Sequence, residues 1–173
     1  PVQFRLNEQT SVNNYYQKGL ENTRPEAVNE MAIKEFDGMV KKLKKAGIRV
    51  IVVKDTKKFD TPDSIFPNNW ISFHANGTIG LYPMFAENRR LERNESVLEA
   101  VEAQGFVITN VVDYTAAEAD NLFLEGTGSI LLDRVNNKAY CAISDRADEE
   151  LFIEFCEDFE YTPVVFSAYQ TVN

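Results

Sequence analysis

Apolar residues recur along this chain at two alternating spacings. From Glu26 to Ala46 they fall at Ala32, Phe36, Met39, Val40 and Leu43, which is one face of a helix. Lys41, Lys42, Lys44 and Lys45 crowd its last turn, where cations suit the helix dipole, and Gly47 supplies the stop. We read these lysines as a solvated helix end rather than a binding patch. The run Ile48-Arg49-Val50-Ile51-Val52-Val53 then predicts a strand buried on both faces.

The same grammar repeats downstream. Ile65 to Met84 predicts a hairpin turning at Asn76-Gly77, the strongest short turn signal. Asn88 to Gln104 predicts a helix with Leu91, Val97, Leu98 and Val101 inward, closed by Gly105, and Phe106 to Val112 a strand. Leu122 to Ile143 predicts a second hairpin, turning at Asn136-Asn137. Asp145 to Phe159 predicts a helix with Leu151, Phe152, Phe155, Cys156 and Phe159 inward, and Thr162 to Ala168 a strand.

The register of this repeat is readable by subtraction. Gly47 and Gly105 are 58 residues apart, as are Asp55 and Asp113, and Phe66 and Leu124. The unit is hairpin, helix, strand, a period that signals stacked or ringed modules. By this spacing a third hairpin is expected some ten residues after Tyr169, beyond Asn173. Residues 1–173 therefore read as a single incomplete domain of α/β class.

Composition narrows the function classes. A net charge of −9 argues against nucleic acid and anionic membrane as partners. No apolar run approaches the ~20 residues that span a bilayer. Two cysteines, Cys141 and Cys156, both among apolar neighbours, read as reduced core thiols of a cytoplasmic protein. No metal or cofactor motif is present, and a homo-oligomer is neither required nor excluded. His74, the single histidine, stands beside the Asn76-Gly77 turn and is expected on the surface.

Three segments carry candidate chemistry. Phe66-Pro67-Asn68-Asn69-Trp70 places Pro and two amides where a hairpin begins, and Leu124-Glu125-Gly126-Thr127-Gly128-Ser129 places a carboxylate and two glycines at the matching place one repeat later. Pro and Gly weaken strands, so such positions point to a bulge or a close ligand approach. Asn88-Arg89-Arg90-Leu91-Glu92-Arg93 sets arginines at a helix start, unfavourable to the dipole but suited to gripping a carboxylate with two bonds.

These motifs in this order, with Tyr82-Pro83-Met84 between them and Asn13-Asn14-Tyr15 upstream, resemble the pentein superfamily of guanidino-group-modifying enzymes: arginine deiminases, dimethylarginine hydrolases and amidinotransferases. The nearest look is to the arginine-deiminase-related branch linked with citrulline use. The resemblance implies a propeller of five hairpin-helix-strand modules, about three of them present here. It implies C–N hydrolysis on an arginine-like or citrulline-like amino acid, with a Cys nucleophile and a His proton carrier. Glu125 matches the acidic residue of the family's Leu-Glu-Gly-Gly-Asp type motif. Asn68 and Asn69 fall at the Arg-Asp of its Phe-Thr-Arg-Asp type motif, and Arg89, Arg90 and Glu92 match its Arg-Arg-x-Glu loop. Glu125 is thus the candidate catalytic residue, and Asn68, Asn69, Arg89 and Arg90 are the candidate substrate-binding residues.

Two departures follow. Neither Cys141, Cys156 nor His74 stands where the family's nucleophile and histidine lie, so residues 1–173 alone are expected to be inactive. Asn69 replaces a carboxylate, and an amide can both donate and accept, which admits a ureido group beside a guanidinium. An amidinotransferase, or a non-enzymatic binding protein on the same fold, is the alternative.

Overall fold

The computed structural model describes residues 1–12, 25–56 and 58–169. The expected match at Asn13-Asn14-Tyr15 lies outside them. The chain divides into two compact units: Pro1–Ile65 with Asn94–Phe106, and Phe66–Arg93 with Val107–Asn173.

Among the described residues the first unit holds three helices. α1 (Glu8–Ser11) is capped by Asn7, whose side chain accepts from Gln9 N at 3.2 Å. α2 (Pro25–Lys45) closely follows the predicted helix and carries its lysines in the last turn. α4 (Glu95–Glu102) starts at Asn94, whose side chain accepts from Ser96 N at 3.1 Å. That cap divides the single helix expected over 88–104, because the extended backbone of an N-cap cannot continue a helical run; only the short α3 (Glu87–Arg90) precedes it. Leu91 is accordingly 45% exposed rather than inward.

The expected strand at Ile48 to Val53 does not form, and Ile48, Ile51, Val52 and Val53 are exposed. The second unit shows why. β1 (Ile71–Phe73) pairs antiparallel with β2 (Thr78–Leu81), and β2 pairs parallel with β3 (Asn110–Asp113). β4 (Ile130–Asp133), β5 (Lys138–Ala142) and β6 (Thr162–Phe166) repeat that order. In each sheet the strand after a helix takes its ladder from the second strand of the hairpin before that helix. Among the described residues no hairpin precedes α2, so Ile48 to Val53 has no ladder to join.

Both hairpins turn where expected. Gly77 holds φ +83° and Asn76 Oδ1 accepts from Thr78 N at 3.0 Å. The core of this unit gathers α6 (Glu149–Asp158) onto the second sheet: Leu151, Phe152, Phe155 and Cys156 pack with Ile130, Ala139, Cys141, Leu124, Tyr82 and Tyr114. α6 begins at Asp148, whose carboxylate accepts from Leu151 N at 3.0 Å. Truncating the fully buried Phe152 or Phe155 to Ala costs about 3–5 kcal/mol by analogy with other aromatic core sites. The two cysteines are buried and unpaired, as expected.

Candidate functional site

The entrances of the two hairpins meet. Pro67–Asn69 forms a single 3-10 turn, with Pro67 at its first position where no amide hydrogen is needed. One repeat later Gly126–Ser129 forms one helical turn, α5, with Glu125 as its N-cap residue. Gly126 holds φ +40°, and a Cβ there would stand 2.7 Å from Asn68 O and 3.0 Å from Asn69 O. Glycine therefore lets the two turns touch. Thr127 Oγ1 donates to Asn68 O at 3.3 Å across the same contact.

Glu125 is the centre of the cluster, 1% exposed. Its Oε1 accepts from Phe85 N at 3.2 Å, and its Oε2 accepts from Asn69 Nδ2 at 3.0 Å. Arg146 Nη1 lies 3.6 Å and Arg89 Nη1 3.9 Å from that same Oε2. A buried carboxylate needs such company, because an ion taken out of water without partners costs several kcal/mol. Both oxygens and two cationic groups thus hold Glu125 as an oriented, buried acceptor.

The arginine loop divides its duties. Arg89 forks onto Glu92, Nε to Oε1 and Nη2 to Oε2, both at 3.0 Å, and gives Nη2 to Phe66 O at 3.1 Å. Arg90 donates Nε to Met84 O at 2.9 Å and lies over the Phe123 ring at 5.6 Å. Arg93 grips Glu118 through Nη1 at 2.6 Å and Nη2 at 3.0 Å. Of the sequence candidates, the structure brings Asn69, Arg89 and Glu125 together. Asn68 joins through its carbonyl at the α5 contact and is exposed. Arg90 sits on the Met84–Phe85 backbone, with Glu118 3.7 Å away.

Sequence reasoning missed Arg146. Glu125 N donates to Arg146 O at 3.1 Å, so main chain and side chain both tie this loop to Glu125. The signal was available: Arg146 stands 57 residues after Arg89, within one residue of the repeat, and both approach one oxygen of Glu125.

The expectation for His74 is corrected. The ring is 7% exposed, its Nε2 is 2.9 Å from Ser72 Oγ, and it stacks on Phe159 with centroids 4.2 Å apart. Strand alternation explains it: Ser72 and His74 share the inward face, and Ser72 Oγ also meets Tyr82 OH at 2.7 Å. Burial, with Arg134 nearby, pushes His74 down to about 4, and burial pushes Tyr82 up to about 12. Burial likewise pushes the Cys141 and Cys156 thiols up to about 11, so neither is a ready thiolate. Among the described residues no helix is long and apolar enough to cross a membrane, and no His, Cys, Asp and Glu group is arranged to hold a metal ion.

Two hairpin-helix-strand modules in succession are the repeating unit of this fold, and solved structures share it. The N-terminal domain of ArgZ bound to substrate, an arginine dihydrolase from the ornithine-ammonia cycle in cyanobacteria, matches at TM-score 0.63 and 19% identity, over 82% of this chain and 48% of that one. A dimethylarginine dimethylaminohydrolase adduct with S-methyl-L-thiocitrulline matches at 0.64 and 18%, over 83% and 52%. A mutant of AgrE with L-arginine matches at 0.66 and 18%, over 87% and 21%. At such identities the likeness is one of fold, and the chain spans about half the length of the first two. No curated protein matches the sequence. The model of the eukaryotic N,N dimethylarginine dimethylhydrolase family matches residues 1–173, and the chain belongs to that family.

Proposed function

We infer that this chain supplies the substrate-gripping part of a C–N hydrolase acting on the guanidino group of an arginine-like amino acid. The observation that carries this reading is the meeting of Asn69 and Glu125 at 3.0 Å from equivalent ends of successive modules. A guanidinium presents a planar fork of N–H donors and needs fixed acceptors. Glu125 offers a buried carboxylate, and Asn69, with one amide hydrogen given to Glu125, keeps Oδ1 for a second N–H. We assign the substrate carboxylate to Arg90, 24% exposed in its side chain, rather than to Arg89, 4% exposed and forked onto Glu92.

In this reading a thiolate adds to the guanidinium carbon, the C–N bond to the departing nitrogen breaks as that nitrogen takes a proton, and water then releases the carbon from sulfur. Cys141, Cys156 and His74 are core residues, so the thiolate and the proton carrier come from outside residues 1–173. Glu125 stabilises the cationic carbon–nitrogen group through both steps. A ureido substrate such as citrulline is the second reading, favoured by the remaining amide hydrogen of Asn69, which a carboxylate there would lack. An amidinotransferase would share the covalent step and differ in using an amine instead of water. The chain's small-molecule partner is then a guanidino or ureido amino acid, and its compartment the cytoplasm.

The test is product release by the natural full-length protein given L-arginine, N,N-dimethylarginine and L-citrulline separately. Ammonia or dimethylamine from a guanidino substrate supports the first reading. Ammonia from citrulline alone supports the second. Release from none of the three counts against both.

A further inference from the structure

Where Asn69 reaches Glu125, its amide lies against position 128, which has no side chain. A Cβ on Gly128 would collide with Asn69 Nδ2 and stand 2.8 Å from its Cγ and 3.1 Å from its Oδ1. Every atom of the Asn69 amide therefore lies against the space a side chain at 128 would fill. Gly126 has a different reason to be glycine, since its φ is +40° and its Cβ would strike the backbone carbonyls of Asn68 and Asn69. Gly128 has no positive φ and is exposed. Its backbone suits any residue, and inside a helical turn alanine is ordinarily the better choice by up to about 1 kcal/mol. The local backbone thus gives no reason for glycine at 128; the Asn69 amide does.

We propose that Gly128 is a positioning residue of the guanidino site: its missing side chain lets Asn69 lay its amide across α5 and donate to Glu125, which fixes which amide atom faces the ligand. The proposal rests on the reading of Asn69 and Glu125 as substrate-binding groups. Asparagine has only two side-chain torsions, so an amide displaced from this place is expected to lengthen or lose its bond to Glu125 Oε2. The Asn69 donor and a bare position 128 are then one feature, and neither keeps its use without the other.

The test reads Asn69 directly. In the ¹⁵N-labelled protein, the side-chain amide pair of Asn69 is identified by its loss in Asn69→Ala. In Gly128→Ala that pair is expected to leave its wild-type position while the resonances of α6 and β5 stay. The variant is also expected to melt lower than wild type, and Asn69→Gly to cost less when added to it than when made in wild type. An unmoved Asn69 pair in Gly128→Ala overturns the proposal. If Gly128→Ala does not fold, recovery of folding in the double variant supports it and failure to recover overturns it. In the full-length enzyme, KM for L-arginine is expected to rise about tenfold, the loss of roughly one hydrogen bond to a charged group. If wild type turns over neither guanidino nor ureido substrate, the functional reading fails, while the Asn69 resonance still decides the positioning role.

Discussion

Asn69 donates its side-chain amide to Glu125 Oε2 at 3.0 Å, across 56 residues of sequence. The contact makes residue 69 the nearest tuning knob for a buried carboxylate, and it fixes what a charge change there must do.

Asn69→Asp would replace the donated hydrogen bond by a second carboxylate facing Glu125 Oε2, a like-charge contact in a buried place. The variant is expected to be less stable than wild type by about 1–3 kcal/mol. Urea unfolding checks this; an unchanged midpoint contradicts it.

Arg89 and Arg146 approach the same oxygen from unequal surroundings. Arg89→Ala removes a two-bond grip on the buried Glu92 and weakens the company of Glu125, and is expected to cost about 3–5 kcal/mol. Arg146, 19% exposed in its side chain, leaves water able to replace it, and Arg146→Ala is expected to cost about 1–2 kcal/mol. Denaturant midpoints of the two variants give the order, and the reverse order contradicts the arrangement.

His74 supplies a pH-dependent stability. Its folded-state value, about 4, lies below the ordinary 6.5, so the unfolded chain takes up a proton before the folded protein does. The stabilisation is fully present above pH 6.5 and is lost as pH falls toward 4, by up to about 3 kcal/mol. His74 is the single histidine of residues 1–173, and its ring resonances are identified by their loss in His74→Gln. They should titrate near 4, and the acid loss should shrink in His74→Gln.

The residues that sequence reading placed well are those whose cause is local. α2 and α6 follow from apolar spacing, the turn at Gly77 from a dipeptide, and the correspondence of the two hairpin entrances, Phe66 and Leu124, from a fixed period. What it misplaced depends on partners far along the chain. Ile48 to Val53 has the composition of a buried strand, but a strand exists only beside another, and no described hairpin offers one. His74 was judged by its nearness to a turn, whereas its two-residue spacing from Ser72 decides its face. Asn94 was legible as a cap, and missing it merged two helices. Arg146 lies within one residue of a period beyond Arg89, and a search for repeated charge, rather than repeated fold, would find it.

The central claim is that Glu125 is the acceptor that holds and stabilises the guanidinium. The most direct measurement is kcat/KM for the preferred guanidino substrate in the natural full-length protein and in Glu125→Gln, with circular dichroism confirming the same fold. A loss of about 10²-fold or more is predicted, because the amide removes the charge that stabilises the cationic group. An unchanged kcat/KM in a folded Glu125→Gln protein would contradict the account.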